Sequence, residues 1–196
     1  MIILMGLGNP GETYAKNRHN VGFIFVDWLL NELTTSYKLP ATSFSYDKFS
    51  DADIVKIQHP TSNFQLPTLL AKPRTFMNKS GFTANKLATS YQLPATSLIV
   101  IHDDLDIKLG EFKIQQGKGP KVHNGLSSIE SSLRFKDFWR VRIGIDNRDR
   151  FAGTGEEYVL GNFTKDENEI LKNTFPIIFE RLEQILQDIE SHPAEH

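Results

Sequence analysis

The chain has 196 residues with a formal net charge of −2, which is room for one ordinary domain with a buried core. It contains no cysteine, so disulfides, cysteine-based zinc sites and thiol nucleophiles are excluded. The apolar run at the N-terminus is too short for a signal peptide, and no stretch approaches the ~20 apolar residues of a membrane helix. We therefore expect a cytoplasmic protein with no membrane contact.

Charge is distributed unevenly along the chain. Residues 108–150 contain ten basic and five acidic side chains, a net charge of +5, whereas residues 151–196 contain three basic and ten acidic, a net charge of −7. A basic segment on a nearly neutral protein could bind phosphates, although surface charges also segregate by chance.

The hydrophobic pattern predicts alternating strands and helices. Strands are predicted at residues 2–7, 44–49, 54–58, 69–72, 98–101, 111–116 and 140–145. Helices are predicted at 21–33, at 78–92 with Phe82, Leu87 and Tyr91 facing inward, at 124–133, and in the last segment, where Ile178, Leu182, Ile185 and Ile189 form one apolar stripe.

This alternation favours an α/β fold. We expect a single-domain sandwich over residues 1–190, with a twisted, mostly parallel or mixed central sheet flanked by helices, and a short flexible tail at 191–196.

A glycine-rich loop, GLGNPG at residues 6–11, follows the first strand and matches the dinucleotide-binding pattern G-x-G-x-x-G. In that class of protein a helix opens within the motif, so that its N-terminus meets the pyrophosphate. Here Pro10 and Gly11 interrupt the chain, and the helical pattern starts only near Asn20. A tight turn is therefore favoured over a nicotinamide site.

Polar residues gather where loops are expected to leave the strands: Asn9, His19, Asn78, Asp103, and the pair His123 and Asn124. His19 precedes the first long helix and could serve as a general base, since histidine titrates near neutrality. Its alternative roles are those of a helix cap or a surface residue.

The acidic cluster HDDLD at residues 102–106 has three interpretations. One carboxylate could accept a hydrogen bond from a histidine Nδ1–H and so orient a base. The cluster could instead bind a divalent cation, or it could be a polar turn.

No G-x-S-x-G nucleophile motif is present, so a water molecule activated by a general base is the favoured route. Asparagine amides could then hold a carbonyl or its developing oxyanion. The alternative role of Asn78 and Asn124 is capping of the two helices that they precede.

Together these clusters resemble the bacterial-type peptidyl-tRNA hydrolases. Seven stretches occur in the family's order: residues 6–11 with Tyr14, RHNVG at 18–22, KPRTFMNKSG at 72–81, HDDLD at 102–106, HNGL at 123–126, RVRIGI at 140–145 and YVLG at 158–161.

The resemblance implies hydrolysis of the ester between a peptide and its tRNA, by a monomer that needs no metal or cofactor. His19 would activate water, Asp103 would support it, and Asn9 would distinguish peptidyl from free aminoacyl ends. Substrate contacts are implied for Tyr14, Phe76, Met77, Asn78, His123 and Asn124, and tRNA phosphate contacts for Lys113 and Arg142, with Arg140 as a further candidate.

The chain departs from the family in three places. The family usually has a glycine-rich lid loop just before its His-Asn-Gly stretch; here this lid loop is residues 117–122 and contains Pro120 and Val122, which restrict the backbone. Gln115 stands where a basic residue is usual in the family. Residues 37–68 contain no family motif. A non-catalytic RNA-binding relative of the same fold is therefore kept as the alternative function.

Overall fold

A computed structural model describes residues 1–36, 42–58, 67–92, 94–149 and 151–191. The strands are β1 (Ile2–Gly6), β2 (Ser45–Asp47), β3 (Ala52–Ile57), β4 (Thr68–Pro73), β5 (Leu98–Lys108), β6 (Phe112–Gln116) and β7 (Trp139–Asp146). The α-helices are α1 (Val21–Ser36), α2 (Ser80–Ser90), α3 (Asn124–Leu133), α4 (Gly155–Leu160) and α5 (Lys165–Ser191).

All seven strands belong to one sheet, in the order β2-β3-β4-β1-β5-β7-β6. The four central strands β4, β1, β5 and β7 are parallel to one another, whereas β2, β3 and β6 run antiparallel to their neighbours. Parallel strands covered on both faces read as continuous apolar runs, which is the pattern of β1 and of the first half of β5. The predicted α/β sandwich with a mixed sheet is confirmed.

Two hydrophobic cores lie on opposite faces of the sheet. One joins α1 and α5 to the sheet and contains Phe25, Phe175 and Leu182, and the other joins α2 and α3 to the sheet and contains Leu87 and Ile129. Of the predicted apolar stripe of the last helix, Ile178 and Leu182 belong to the first core, Ile189 packs against it, and Ile185 is also buried.

Helix α1 begins against the ends of the central strands because Gly22 permits a very close approach. A Cβ atom at Gly22 would lie 2.3 Å from the carbonyl oxygen of Ile101 and 2.5 Å from the amide nitrogen of Leu7. Any side chain at this position would push the helix away from β1 and β5. The residues just before α1, which include His19, are thereby held at the carboxyl ends of both strands.

Strand β5 is much longer than the predicted four residues. His102, Asp103 and Asp104 lie inside it and are buried, so the alternative interpretation of this cluster as a polar turn is wrong. Carboxylates normally end a buried strand because they need solvent, but each of these has charged or hydrogen-bonding partners inside the fold. The partners come from distant parts of the chain and cannot be seen in the local pattern.

Helix α4 and the exposure of Phe82 also differ from prediction. No helix was predicted at α4. Thr154 and Glu157 form a reciprocal capping box at its start, and this Thr-x-x-Glu pattern in the sequence could have predicted the helix. Phe82 is 47% exposed rather than inward, because it precedes Leu87 by five residues and so lies about 140° around the helix from the buried face of Ala84 and Leu87.

Two expectations fall partly on residues that the structure does not describe. The first concerns the segment without family motifs, residues 37–68, of which 37–41 and 59–66 lie outside the described residues. The second concerns the predicted tail at 191–196: Ser191 is the last residue of α5, and 192–196 lie outside the described residues. Among the described residues, no helix is both long and apolar enough to cross a membrane.

Candidate active site

A cleft of about 510 Å³ opens at the carboxyl ends of the parallel strands. Its lining includes Asn9 from the loop after β1, His19 before α1, the run from Phe76 to Asn78 after β4, Asp103 of β5, and the pair His123 and Asn124 at the start of α3. The topology thus brings five segments of the chain to one place, as is usual for this class of sheet.

His19 is held by its two neighbours in a 3-10 turn, Arg18–Asn20. Asn20 clamps the glycine loop, since its Oδ1 accepts from the Asn9 amide and its Nδ2 donates to the Asn9 carbonyl, both at 2.9 Å. Arg18 is buried and donates to both carboxylate oxygens of Glu167, at 2.8 and 3.1 Å, while its guanidinium lies over the Tyr158 ring. The base candidate is therefore tied both to the glycine loop and to α5.

Asp103 lies at the centre of the polar groups in the cleft. Its Oδ1 accepts from His19 Nδ1 at 2.8 Å and from His123 Nε2 at 3.0 Å. The Leu126 amide donates to His123 Nδ1 at 3.3 Å, which leaves Nε2 as the protonated nitrogen of that ring. Because Nδ1 of His19 donates to Asp103, Nε2 of His19 is the nitrogen left to accept a proton.

The pKa values of these groups follow from the same contacts. Burial alone would lower the pKa of His19, but the charge of Asp103 and its hydrogen bond outweigh burial and raise the pKa above 6.5. Burial would raise the pKa of Asp103, but His19 and His123 hold it far below its usual range. Burial, with a smaller effect of His123, lowers the pKa of His102 to about 3, so this ring stays neutral.

His102 supports this array from inside the strand and was not singled out from the sequence. Its Nδ1 donates to the Asp103 carbonyl at 2.7 Å, and its ring meets that of His123 edge to face at 5.0 Å between centroids.

Three asparagine amides face the cleft. Asn9 Oδ1 accepts from the Met77 amide at 2.9 Å, so its Nδ2 is left as a donor for a ligand. Asn78 and Asn124 are exposed and make no hydrogen bond to the described part of the chain. Neither is a helix cap, which corrects that alternative: Asn78 lies in a 3-10 turn before α2, and His123 caps α3.

The cleft wall beyond Asn9 is apolar and aromatic. Phe76 is more than half exposed and meets Tyr14 edge to face at 6.3 Å between ring centroids. Met77 is buried, and its sulfur lies so close to Gly125 that a Cβ there would approach it to 2.5 Å. Met77 therefore joins the loop after β4 to the start of α3.

Four further residues line the cleft: Leu105 of β5 and Glu156, Val159 and Leu160 of α4. None of them was given a role from the sequence, although Leu105, Val159 and Leu160 lie in the stretches HDDLD and YVLG. The capping box of α4 was the signal that could have located them. Val122 also lies here and is 83% exposed, so the departure from glycine places a bulky apolar group at the cleft mouth.

The two arginines of β7 have internal partners. Arg142 is buried rather than an ordinary surface residue of the strand, with Nε donating to Asp104 at 2.7 Å and Nη1 donating to Gln115 at 2.9 Å. Arg140 is buried against Glu130 and the lid residue Gly119. Lys113 is exposed on β6, paired in register with Arg142.

His19, Asp103 and His123 offer three potential metal ligands within 4.8 Å of one another. Both histidine nitrogens already donate to one carboxylate oxygen, so a cation would have to replace two hydrogen bonds to bind here. The arrangement is that of an oriented base. The glycine loop, in turn, is followed by a 3-10 helix, Glu12–Tyr14, rather than by α1, which argues against a dinucleotide site.

Comparison with known proteins agrees with this geometry. The sequence profile described as peptidyl-tRNA hydrolase matches residues 3–195. A peptidyl-tRNA hydrolase of Lawsonia intracellularis is 39% identical, covering 95% of this chain and 87% of the relative, and one of Mycobacterium marinum is 38% identical, covering 100% and 95%. The crystal structure of peptidyl-tRNA hydrolase from Acinetobacter baumannii superimposes with a TM-score of 0.80 at 26% identity, over 97% of this chain and 90% of that one. The chain therefore belongs to the peptidyl-tRNA hydrolase family.

Proposed function

We propose that this chain hydrolyses its substrate through a water molecule activated by His19, without a metal. As a member of its family the chain is an ester hydrolase that acts on peptidyl-tRNA and releases the tRNA. The observation that carries the proposed mechanism is the shared hydrogen bonding of His19 and His123 to one oxygen of Asp103, in a cleft that is also lined by the side chains of Asn9, Asn78 and Asn124.

The reaction needs one proton acceptor and one donor. His19 Nε2 takes a proton from water as the water oxygen bonds to the ester carbonyl carbon, and Asp103 stabilises the imidazolium that forms. When the bond from carbon to the ribose oxygen breaks, the same imidazolium returns the proton to that oxygen. The products are a peptide acid and a tRNA with a free 3′-terminal hydroxyl.

Asparagine donors can hold the substrate on either side of this proton relay. Nδ2 of Asn9 is fixed as a donor, because the Met77 amide already occupies its oxygen. The side chains of Asn78 and Asn124 are exposed, and neither forms a hydrogen bond within the part of the chain that the structure describes. Such amides can bind the peptide backbone, the attacking water or the developing oxyanion in a partly closed cleft.

The tRNA side of the substrate is assigned to the β6–β7 edge of the sheet. Lys113 is exposed there, and the lid loop adds Lys118 and Lys121. Arg142 is oriented by Asp104 and Gln115, and its Nη2 has no partner among the described residues. Cations at fixed positions can bind phosphates without reading the base sequence. We further assign the chain to the cytoplasm, as a monomer.

The first test is release of the acyl group from N-acetyl-aminoacyl-tRNA and from free aminoacyl-tRNA, with and without a chelator. We expect rapid cleavage of N-acetyl-aminoacyl-tRNA and no cleavage of free aminoacyl-tRNA. The rate should be the same with and without chelator, because a general base and amide donors suffice to hydrolyse this ester. Loss of turnover in the chelator would contradict the metal-free route. Binding of tRNA without cleavage of either substrate would favour the RNA-binding relative instead.

Lys113→Ala is expected to raise KM for the blocked substrate while kcat stays within about twofold, because it removes a phosphate contact outside the cleft. The dependence of log KM on log salt should become shallower by roughly 0.7–0.9, the effect of one lost phosphate contact. Lys165→Ala, an exposed lysine at the start of α5, is the matched control and should change neither quantity. An unaltered salt slope in Lys113→Ala would remove this residue from the tRNA interface.

A further inference from the structure

A second cavity, of about 470 Å³, lies next to the active-site cleft. Asn9 lines both cavities, so they meet at the glycine loop. The second cavity lies at the start of α1 and at the ends of β3 and β4, and it contains none of the proton-transfer groups. Its volume is within the ~300–1,000 Å³ typical of ligand sites.

The second cavity has an apolar floor and a charged rim. Pro10, Phe23, Ile24 and Pro73 supply apolar surface, and Phe23 and Ile24 are half-buried because they lie off the face of α1 that packs on the sheet. On the rim Lys72 pairs with Asp27, and Arg74 pairs with Asp53. Ala15 and Glu12 complete the outer side and are exposed.

The topology determines which part of the substrate can reach this cavity. In the sheet order, β7 and β6 lie on one side of β5 and His19, whereas β4 and β3 lie on the other. If the tRNA extends from the ester towards Lys113 on β6, the peptide must leave in another direction. The path from His19 past Asn9 leads along the carboxyl ends of the strands to the second cavity.

We propose that the second cavity binds the peptide residues that precede the residue esterified to the tRNA. This inference rests on the proposed function, since it takes the ester to be bound at His19. Asn9 then stands between the two subsites, with its Nδ2 donor available to a peptide carbonyl.

The rim chemistry fits a peptide of varied sequence. Because each rim cation pairs with a carboxylate, the rim carries no strong excess of one charge apart from Glu12. Contact with the apolar floor stabilises the bound peptide for most side chains, because it removes apolar surface from water. A phosphate chain would find no unpaired cation here, which argues against the tRNA as the occupant.

The test compares two substrates with the same tRNA: an N-acetyl-aminoacyl-tRNA and an N-acetyl-tetrapeptidyl-tRNA ending in the same amino acid. The wild-type protein should cleave the longer substrate with the higher kcat/KM, because binding energy from remote residues can lower the barrier. Ala15→Trp fills the cavity from its exposed side and should lower kcat/KM for the longer substrate about tenfold. Turnover of the short substrate should not change, and it also reports that the variant is folded.

Thr13→Trp is the matched control, because Thr13 is exposed two residues before Ala15, in the 3-10 helix that Ala15 caps, but does not line the cavity. Ala15→Leu is smaller and should give an intermediate loss on the longer substrate. Equal kcat/KM for the two wild-type substrates, or the same ratio in Ala15→Trp as in Thr13→Trp, would overturn the inference while leaving the hydrolase function intact. Failure of the wild type to cleave either substrate would instead overturn the proposed function, and the peptide subsite with it.

Discussion

His19→Ala is expected to lower kcat/KM for N-acetyl-aminoacyl-tRNA by about 10²–10⁴, the usual contribution of a general base. Among the described residues that line the cleft, the His19 imidazole alone has a free basic nitrogen: its Nδ1 donates to Asp103 and its Nε2 is left to accept the proton of water, whereas Nδ1 of His123 accepts from the Leu126 amide. His102, although also a histidine near the cleft, is fully buried and cannot replace it.

Folding and tRNA binding should survive this substitution. His19 lies at the edge of a cleft rather than in either hydrophobic core, so its truncation leaves the packing of α1 on the sheet unchanged. The measurements are single-turnover cleavage, the midpoint of thermal unfolding, and the affinity for uncharged tRNA. Residual turnover above about a tenth of the wild-type rate would show that His19 is not the base.

The fold could be predicted from the sequence because its central strands are buried on both faces. Strands β1, β4 and β7 stand out as short apolar or alternating runs, and α3 was placed with its observed bounds. Strand β5 was predicted to end at Ile101, because a histidine and two aspartates follow that residue. A local pattern scores such residues as a turn, whereas the fold satisfies them through partners many positions away.

The candidate site shows the same division between local and long-range information. That a carboxylate of residues 102–106 would accept a hydrogen bond from a histidine was a sequence hypothesis, and the structure has this bond between His19 and Asp103, 84 positions apart. The sequence did not indicate that His123 donates to the same oxygen, because His123 was interpreted as a substrate contact. Nor did it indicate that Arg142 pairs inward with Asp104, since a single arginine in an alternating strand reads as exposed. The roles of these residues in catalysis and tRNA binding stay predictions.

Asp103→Asn is expected to change both the rate of hydrolysis and its dependence on pH. His19 must be neutral to accept a proton, so kcat/KM in the wild type should rise with pH through an apparent pKa above 6.5. The carboxylate charge and hydrogen bond are what raise the pKa of His19, against burial, which lowers it. Without that charge the pKa should fall, and the acid limb of the pH profile should move to lower pH.

The plateau rate should fall as well, by about 10²-fold, because an amide neither stabilises the imidazolium nor holds the imidazole in the tautomer with Nε2 free.

Asp106→Asn is the matched control: it removes the same unit charge from the same strand, but Asp106 is exposed and has no contact with His19. An equal shift of the acid limb in both variants would mean that His19 senses the general field of the strand. A shift confined to Asp103→Asn would identify the direct hydrogen bond as the cause, and an unchanged profile would exclude Asp103 from the mechanism. Because the effect on pH dependence is opposite in sign to that of burial, a merely structural role for Asp103 would not reproduce it.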